Sequence, residues 1–276
     1  MKRGKIGLAL LEMVMIAVAL VFLYPMILVL INSFKSFGEV MRNVVALPEK
    51  LTVENYVYVW KFIDYPQLFL NNVIITVVGV AGIIALSSLA AYKLSRTKSK
   101  LSNILYLACI LPMLVPFQSI MITVLKLAKD MGLSDSTWGL GVIYWGFGVP
   151  LAVFIYHGFV KGIPRELDES AMIDGASSFR TFGSVILPLL KPVTTTVIII
   201  DVMWIWNDFL LPLLMVNGSQ STKTLTLAAY TFVGQYNTDW QYAMTAMTMA
   251  VLPSVIVFML LQKHIVKGVV AGAVKG

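Results

Sequence analysis

Four acidic residues lie close together in a polar segment that separates two long apolar runs: Glu166, Asp168, Glu169 and Asp174. A short helix can begin just after Pro164, because proline tolerates the first helical turn and acids there interact favourably with the helix dipole. Gly175 permits a left-handed turn or the close approach of another backbone, and Asp174 is a suitable N-cap for a second short helix. A projecting helix of this kind suits docking into a groove on a partner protein. An amphipathic loop in the membrane interface is the alternative, which the four acids, all expected on the polar face of the loop, disfavour because anionic lipid attracts lysines.

Two further carboxylates, Asp201 and Asp208, lie inside the apolar run 193–216. Because a carboxylate is costly to bury in a membrane, such residues are candidates for function. Asp201, near the middle of the run, either faces a water-filled translocation path or pairs with a polar group of a neighbouring helix. Asp208 lies near one end, where an interfacial position is expected. Trp204 and Asn207 are the other candidates for a path, although tryptophan is also common in interfacial aromatic belts.

The sequence carries no pattern that indicates catalysis. A glycine-rich phosphate loop ending in Gly-Lys-Ser/Thr is absent, so the chain is not expected to hydrolyse ATP itself. The two histidines, His157 and His264, are far apart and have no metal-ligand spacing around them. We therefore expect a chain that is not an enzyme and that has no cofactor and no metal ion.

The composition places these residues in a membrane protein. Hydrophobic residues make up 58% of the chain, charged residues 13%, and the mean hydropathy is +0.84. A hydrocarbon core about 30 Å thick needs roughly 20 apolar residues per helical span, and backbone groups in lipid must be satisfied within the helix. Six spans are predicted in a single domain, residues 1–276, with a loop at 161–192: residues 6–31, 71–92, 103–125, 138–160, 193–216 and 243–262.

The basic residues predict the orientation of these spans. Most of the 21 Lys and Arg lie near the two ends of the chain and in the loops 93–102 and 161–192, which six spans place on one side of the membrane. By the positive-inside rule this side is the cytoplasm. The net charge of +7 is thus explained by topology, and binding of nucleic acid is not expected because no basic stripe with interleaved aromatics is present.

The segment 169–188 resembles the EAA loop of permeases of ATP-binding-cassette (ABC) importers. In that loop Glu-Ala-Ala, Asp-Gly-Ala, a Phe and a closing Ile-x-Leu-Pro recur at fixed spacing. Ser170 replaces an alanine of the pattern and Val185 replaces the isoleucine, changes that a packed helix surface tolerates. The matching residues are Glu169, Ala171, Asp174, Gly175, Ala176, Phe182, Leu187 and Pro188.

This resemblance implies an all-α polytopic membrane protein with six transmembrane helices and the type I ABC importer permease (MetI-like) fold. The loop is then a coupling helix that sits in a cleft of an ATPase subunit and transmits nucleotide-driven closure to the spans. On the same resemblance Glu169 pairs with a basic residue of the ATPase, and Gly175 and Ala176 make the close contact.

Other motifs resemble the carbohydrate-uptake branch of these permeases, namely Trp206-Asn207-Asp208-Phe209, Asn71-Asn72 and the tail at 271–276. Within that branch the chain is similar to the second permease of maltose-type importers. The implied substrate is a sugar or oligosaccharide. A permease for polyamines, phosphate or glycerol phosphate is the alternative, and a secondary transporter is a weaker one, since Asp201 alone is thin support for an ion site.

The implied assembly contains a second permease subunit, two ATP-binding subunits and an external solute-binding protein that delivers the sugar, and it lies in the lipid bilayer. The expected location is the cell (cytoplasmic) membrane, as a multi-pass protein with both termini cytoplasmic. The external segment 217–242 mixes aromatic and hydrogen-bonding side chains, which are typical of interfaces. Tyr236 and Trp240 are predicted to contact the binding protein or its sugar, with an aromatic belt as the alternative.

Overall fold

The computed structural model describes the backbone of residues 2–234 and 238–273, and the side chains of residues 7–262 apart from Ala9 and 235–237. Within this part of the chain the regular elements are helices, with one isolated bridge between Val233 and Thr238. The helices are α1 (Lys2–Ser33), α2 (Phe37–Arg42), α3 (Glu54–Phe62), α4 (Tyr65–Arg96), α5 (Lys100–Ile110), α6 (Phe117–Asp130), α7 (Thr137–Lys161), α8 (Glu166–Ile173), α9 (Ser178–Thr181), α10 (Leu187–Leu189), α11 (Lys191–Asn207), α12 (Leu210–Met215), α13 (Leu225–Thr231) and α14 (Trp240–Ala273). A 3-10 turn (Leu111–Leu114) follows α5, and a π-helical turn (Phe182–Ile186) joins α9 to α10.

Among the described residues, four helices are long and apolar enough to cross a membrane, or up to six if each of two bent pairs counts as one span. Four predicted spans, 6–31, 71–92, 138–160 and 243–262, lie within α1, α4, α7 and α14. The third, 103–125, is bent by 106° between α5 with its 3-10 turn and α6. Pro116 lies at that bend, where its missing N–H and its restriction of the preceding residue favour a break.

The fifth predicted span, 193–216, differs from the observed helices. The helix of this region, α11, ends at Asn207, and the short α12 begins only at Leu210. At its other end α11 meets the α9–α10 segment at an angle of 76°. A proline at the second position of α11, Pro192, is compatible with such a start because that position needs no N–H donor.

The chain divides into two compact units, and the first comprises Met1–Tyr65 and Leu225–Leu252. In this unit the end of α1 is held by side chains: Asn55 Nδ2 and Thr245 Oγ1 both donate to the backbone oxygen of Ser33, at 2.9 and 3.1 Å. Ser36 then opens α2 through a capping box with Glu39. The backbone N–H of Ser36 donates to that carboxylate and lowers the pKa of Glu39.

An aromatic cluster completes the first unit and joins α3 to the beginning of α14. Tyr58 stacks on Tyr242 with ring centroids 4.3 Å apart. Phe62 and Tyr242 both lie against Phe232, at 5.3 and 5.7 Å. Offset and tilted ring pairs of this kind add to the stability that area burial gives, so the cluster stabilises the packing of α3 against the beginning of α14.

The second unit comprises Pro66–Thr224 and Pro253–Gly276. Here α7 packs closely against α4, because Gly148 has no side chain where a Cβ would lie 2.8 Å from Cγ1 of Ile83. The indole Nε1 of Trp145 donates to the backbone oxygen of Val78 at 2.9 Å, which satisfies the buried edge of the ring. This unit carries the loop and both carboxylates that the sequence singled out.

Candidate functional site

The coupling-loop segment begins with α8, which ends in a Schellman motif. Asp174 is its C-cap and Gly175, with φ of +80°, is the left-handed residue that follows. The N–H of Gly175 donates to the oxygen of Met172 at 3.0 Å, and that of Ala176 donates to the oxygen of Ala171 at 2.9 Å. These are the two bonds that define the motif. Gly175 is needed here for its backbone conformation, since a Cβ would meet nothing within 4 Å.

The predicted N-cap role of Asp174 is wrong. The second helix, α9, begins at Ser178, and Ser177 is its N-cap, with its hydroxyl accepting from the N–H of Arg180 at 3.4 Å. The reason is the left-handed turn at Gly175, which reverses the chain directly after Asp174 and delays the next helical residues.

Most residues of the predicted docking set face outward. Exposed or half-exposed members are Glu169, Ala171, Asp174, Gly175 and Ala176. Two large apolar side chains lie beside them and are also exposed, Ile173 at 86% and Phe179 at 76%. Exposed apolar groups rimmed by polar residues are typical of a protein interaction surface. We call these seven residues the outer face of the loop: Glu169, Ala171, Ile173, Asp174, Gly175, Ala176 and Phe179.

The remaining motif residues have other positions. Phe182 is buried, and its ring packs against Tyr92 of α4 with centroids 5.3 Å apart. Leu187 and Pro188 are exposed and lie in α10, just before the 76° bend into α11. The motif therefore combines an exposed surface, a packing anchor and a bend.

Sequence reasoning placed Asp168 on the polar face of the loop, and the structure shows that this is wrong. Asp168 points inward and is buried. Its Oδ2 lies 2.8 Å from Nη2 of Arg96, and its Oδ1 accepts from the hydroxyl of Tyr92 at 2.6 Å. No local signal marks this pairing, because Tyr92 and Arg96 lie at the end of α4, far from Asp168 in the sequence.

The break between α11 and α12 is satisfied by side chains. In a continuous helix the N–H of Leu210 would bond to the oxygen of Trp206. Instead Leu210 donates to Oδ1 of Asp208 at 3.1 Å, and the amide of Asn72 donates to the oxygen of Trp206 at 3.3 Å. The hydroxyl of Tyr144 donates to Oδ2 of Asp208 at 2.7 Å. Broken helices at membrane depth are tolerated when neighbouring groups satisfy the backbone in this way.

The four candidates for a translocation path fall into two groups. Asp201 is buried, and its Oδ2 has no hydrogen-bond partner within the described residues. Trp204, Asn207 and Asp208 are at least partly exposed. Trp204 lies edge-on to Tyr144 at 5.2 Å, and Tyr144 also holds Asp208, so these two candidates share one neighbour.

Trp240 and Tyr236 are the two residues predicted to contact a binding protein. Trp240 is the first residue of α14 and is 44% exposed. Tyr236 lies outside the described residues.

The family described as "Binding-protein-dependent transport system inner membrane component" matches residues 82–271, which include the loop, α11 and most of α14. The chain belongs to this family. It is a permease subunit of an ABC transporter, a multi-pass inner membrane protein and not an enzyme, and it works with an ATPase and a binding protein.

Two relatives cover nearly the whole chain. The "Probable starch degradation products transport system permease protein AmyC" of Thermoanaerobacterium thermosulfurigenes is 43% identical, over 94% of this chain and 94% of its own. The "Multiple sugar-binding transport system permease protein MsmG" of Streptococcus mutans is 36% identical, over 93% of each. The resemblance to permeases of carbohydrate uptake, expected from the sequence motifs, is confirmed.

A solved structure shares the fold. A chain of a bacterial ABC transporter involved in the import of the acidic polysaccharide alginate aligns with a TM-score of 0.79, covering 95% of this chain and 97% of its own at 20% identity. The all-helical polytopic permease fold expected from the sequence is thereby confirmed.

Proposed function

We propose that this permease imports a sugar or oligosaccharide, delivered by an external solute-binding protein. The observation that carries the proposal is the similarity over more than nine-tenths of the chain to permeases named for starch degradation products and for multiple sugars. Starch degradation products are α-linked glucose oligomers, so maltooligosaccharides are the first substrates to test.

The assembly that fits this role pairs the chain with a second permease above two ATP-binding subunits. Both termini and the loop lie in the cytoplasm, as the distribution of Lys and Arg supports. The outer face of the loop docks on one ATPase, with Glu169 beside a basic residue of that subunit and Ile173 and Phe179 in an apolar part of its cleft. The exposure of these two apolar side chains supports the docking role.

The exposed end of α11 is the part of this subunit that fits a sugar path. Trp204, with 39% of its surface exposed, offers an aromatic face. Asn207 is also exposed, and its amide is held in place, donating to the oxygen of Met203 at 2.8 Å and accepting from the hydroxyl of Ser254 at 3.1 Å. Asp208 is oriented by Tyr144 and lies beside them along the chain. Asp201 has an interior position instead, because it is buried within the packed second unit.

The proposal is tested by reconstituting the assembly, with its binding protein, in lipid vesicles. Uptake of a labelled maltooligosaccharide is measured with ATP alone and with an imposed ion gradient alone. We expect uptake that requires ATP and the binding protein. Uptake driven by the ion gradient would indicate a secondary transporter. ATP-driven accumulation of a polyamine, phosphate or glycerol phosphate in place of the sugar would refute the substrate assignment.

A further inference from the structure

A buried ion pair lies beneath the coupling loop, on the side opposite its outer face. Arg96 is the last residue of α4, and Asp168 belongs to the first turn of α8. Nη2 of Arg96 lies 2.8 Å from Oδ2 of Asp168, and their side chains are only 13% and 6% exposed. The hydroxyl of Tyr92, one turn earlier in α4, donates to the other oxygen of Asp168 at 2.6 Å. Residues of α4 therefore contact both oxygens of this carboxylate, one through a hydrogen bond from Tyr92 and the other through the charge of Arg96.

The same arginine also reaches the end of α7. Nη1 of Arg96 donates to the backbone oxygens of Val160 and Ile163, at 3.3 and 3.1 Å. In return Nη2 of Arg165, just before α8, donates to the backbone oxygen of Ser95 at 3.3 Å. The planar guanidinium is suited to several such bonds at once because its donors are held in a fixed geometry. As a result α8 is tied to α4 and to the last turn of α7.

Asp168 differs in this respect from the other acids of the loop. Glu166, Glu169 and Asp174 are exposed, and no ion pair involves them within the described residues. Surface charges of that kind contribute little to stability. Among these four acids, Asp168 is the one whose side chain bonds to a membrane-spanning helix within the described residues.

A gain in folding stability does not explain why the chain has a buried ion pair at this position. A buried ion pair can often be replaced by apolar groups without loss of stability. The positions of these two side chains are set instead by the hydrogen bonds around the pair, from Tyr92 to Asp168 and from Arg96 to the backbone oxygens of Val160 and Ile163. A joint of this type transmits displacement, because neither side chain can slide without leaving a buried charge unpaired.

We propose that Asp168 and Arg96, with Tyr92, form the joint through which movement of the coupling loop is passed to α4 and α7. The three are positioning residues that act through the helices they connect. This inference rests on the proposed function, in which the outer face of the loop docks on the ATPase. Breaking the joint should leave docking in place and separate ATP hydrolysis from transport.

The test is Asp168→Asn in the reconstituted assembly, with Glu166→Gln as the matched control. Both changes replace a carboxylate by its amide in the first turn of α8, but only one affects the buried pair. Three quantities are measured: recovery of the ATPase subunit, hydrolysis stimulated by the binding protein, and sugar molecules transported per ATP. We expect Asp168→Asn to keep recovery and hydrolysis within about twofold and to lower transport per ATP by about tenfold or more, within the range of site-to-site coupling. Glu166→Gln should match the wild type in all three.

A double variant and a milder variant complete the test. Arg96→Gln with Asp168→Asn should be no worse in transport per ATP than either single change, because interacting residues are non-additive. If Asp168→Asn fails to accumulate, Tyr92→Phe removes a single hydroxyl and should still lower transport per ATP.

Unchanged transport per ATP in the Asp168 or Tyr92 variant would overturn the joint. So would loss of the ATPase subunit in proportion to transport, since Asp168 would then serve docking or folding of the loop. Failure of the proposed function is distinguishable, because the wild-type assembly itself would then transport no sugar, before any variant is made.

Discussion

The left-handed residue of the loop allows a quantitative prediction for Gly175→Val. With φ at +80° and nothing within 4 Å of a Cβ, the cost of this change lies in the backbone and not in a clash inside the chain. A left-handed conformation costs a residue with a Cβ about 1–2 kcal/mol, and strained positions of this kind cost up to about 3 kcal/mol. Relief of the strain would break the bonds from Gly175 to Met172 and from Ala176 to Ala171.

This cost lowers the equilibrium constant for forming the ordered turn by about 5- to 150-fold, since about 1.4 kcal/mol corresponds to a factor of ten. The assay is ATP-driven sugar uptake in vesicles, normalised to inserted protein, together with the affinity of the permease for its ATPase. We expect normal insertion, because the proposed topology places the loop outside the lipid, and a loss of uptake and affinity for Gly175→Val.

A graded series separates conformation from crowding. Asparagine adopts left-handed conformations more readily than other residues with a Cβ, so Gly175→Asn should retain more uptake than Gly175→Ala, and Gly175→Val should retain least. Wild-type uptake in the valine variant would refute the role of this turn. Equal losses for asparagine and valine would refute the conformational explanation and indicate that the ATPase contacts this position directly.

Three further predictions concern topology, packing and the external segment. In a chain whose natural cysteine is replaced, an impermeant thiol reagent on intact cells should label Lys50→Cys and not Lys98→Cys, because the positive-inside rule places position 98 in the cytoplasm. Gly148→Ala should destabilise the purified assembly by about 1–3 kcal/mol through overpacking against Ile83, seen as a lower melting temperature. Trp240→Ala should weaken stimulation of ATP hydrolysis by the binding protein and leave basal hydrolysis unchanged, because exposed tryptophans are common interface anchors.

Each of these has a control and a contradictory result. Labelling at position 98 from outside would overturn the orientation. Gly146→Ala adds the same methyl to the same helix where nothing lies within 4 Å, and an equal loss of stability there would contradict the packing argument. Trp138→Ala removes another exposed tryptophan at the start of a long helix. Equal weakening by both tryptophan changes would leave only the aromatic-belt explanation.

The sequence was sufficient for the fold class and for the position of the loop. Long apolar runs predict helices because lipid leaves the backbone no alternative, and the motif from Glu169 to Pro188 depends on residue types at fixed spacing. The left-handed turn was foreseeable at Gly175, since glycine is the residue that adopts it without strain.

The inward position of Asp168 and the groups that satisfy the break at Asp208 were not foreseeable. An acid in the first turn of a helix is already explained by the helix dipole, so nothing local indicates a partner such as Arg96. In the run from Ile205 to Val216, Pro212 favours a break, because its ring would crowd the backbone oxygen of Asp208 in a continuous helix. The break is stabilised by Asn72 and Tyr144, which are distant in sequence, and only tertiary contacts reveal them.

The amide that satisfies the break also has a consequence for the order in which the chain is made. Synthesis proceeds from the N-terminus, and early segments begin to fold before later ones exist. Asn72 is therefore synthesised before Trp206, so the donor at the break is made before the carbonyl that accepts from it. A rearranged gene that encoded α11 ahead of α4 would reverse the order of synthesis. The carbonyl of Trp206 would then have to enter the bilayer before Asn72 had been made.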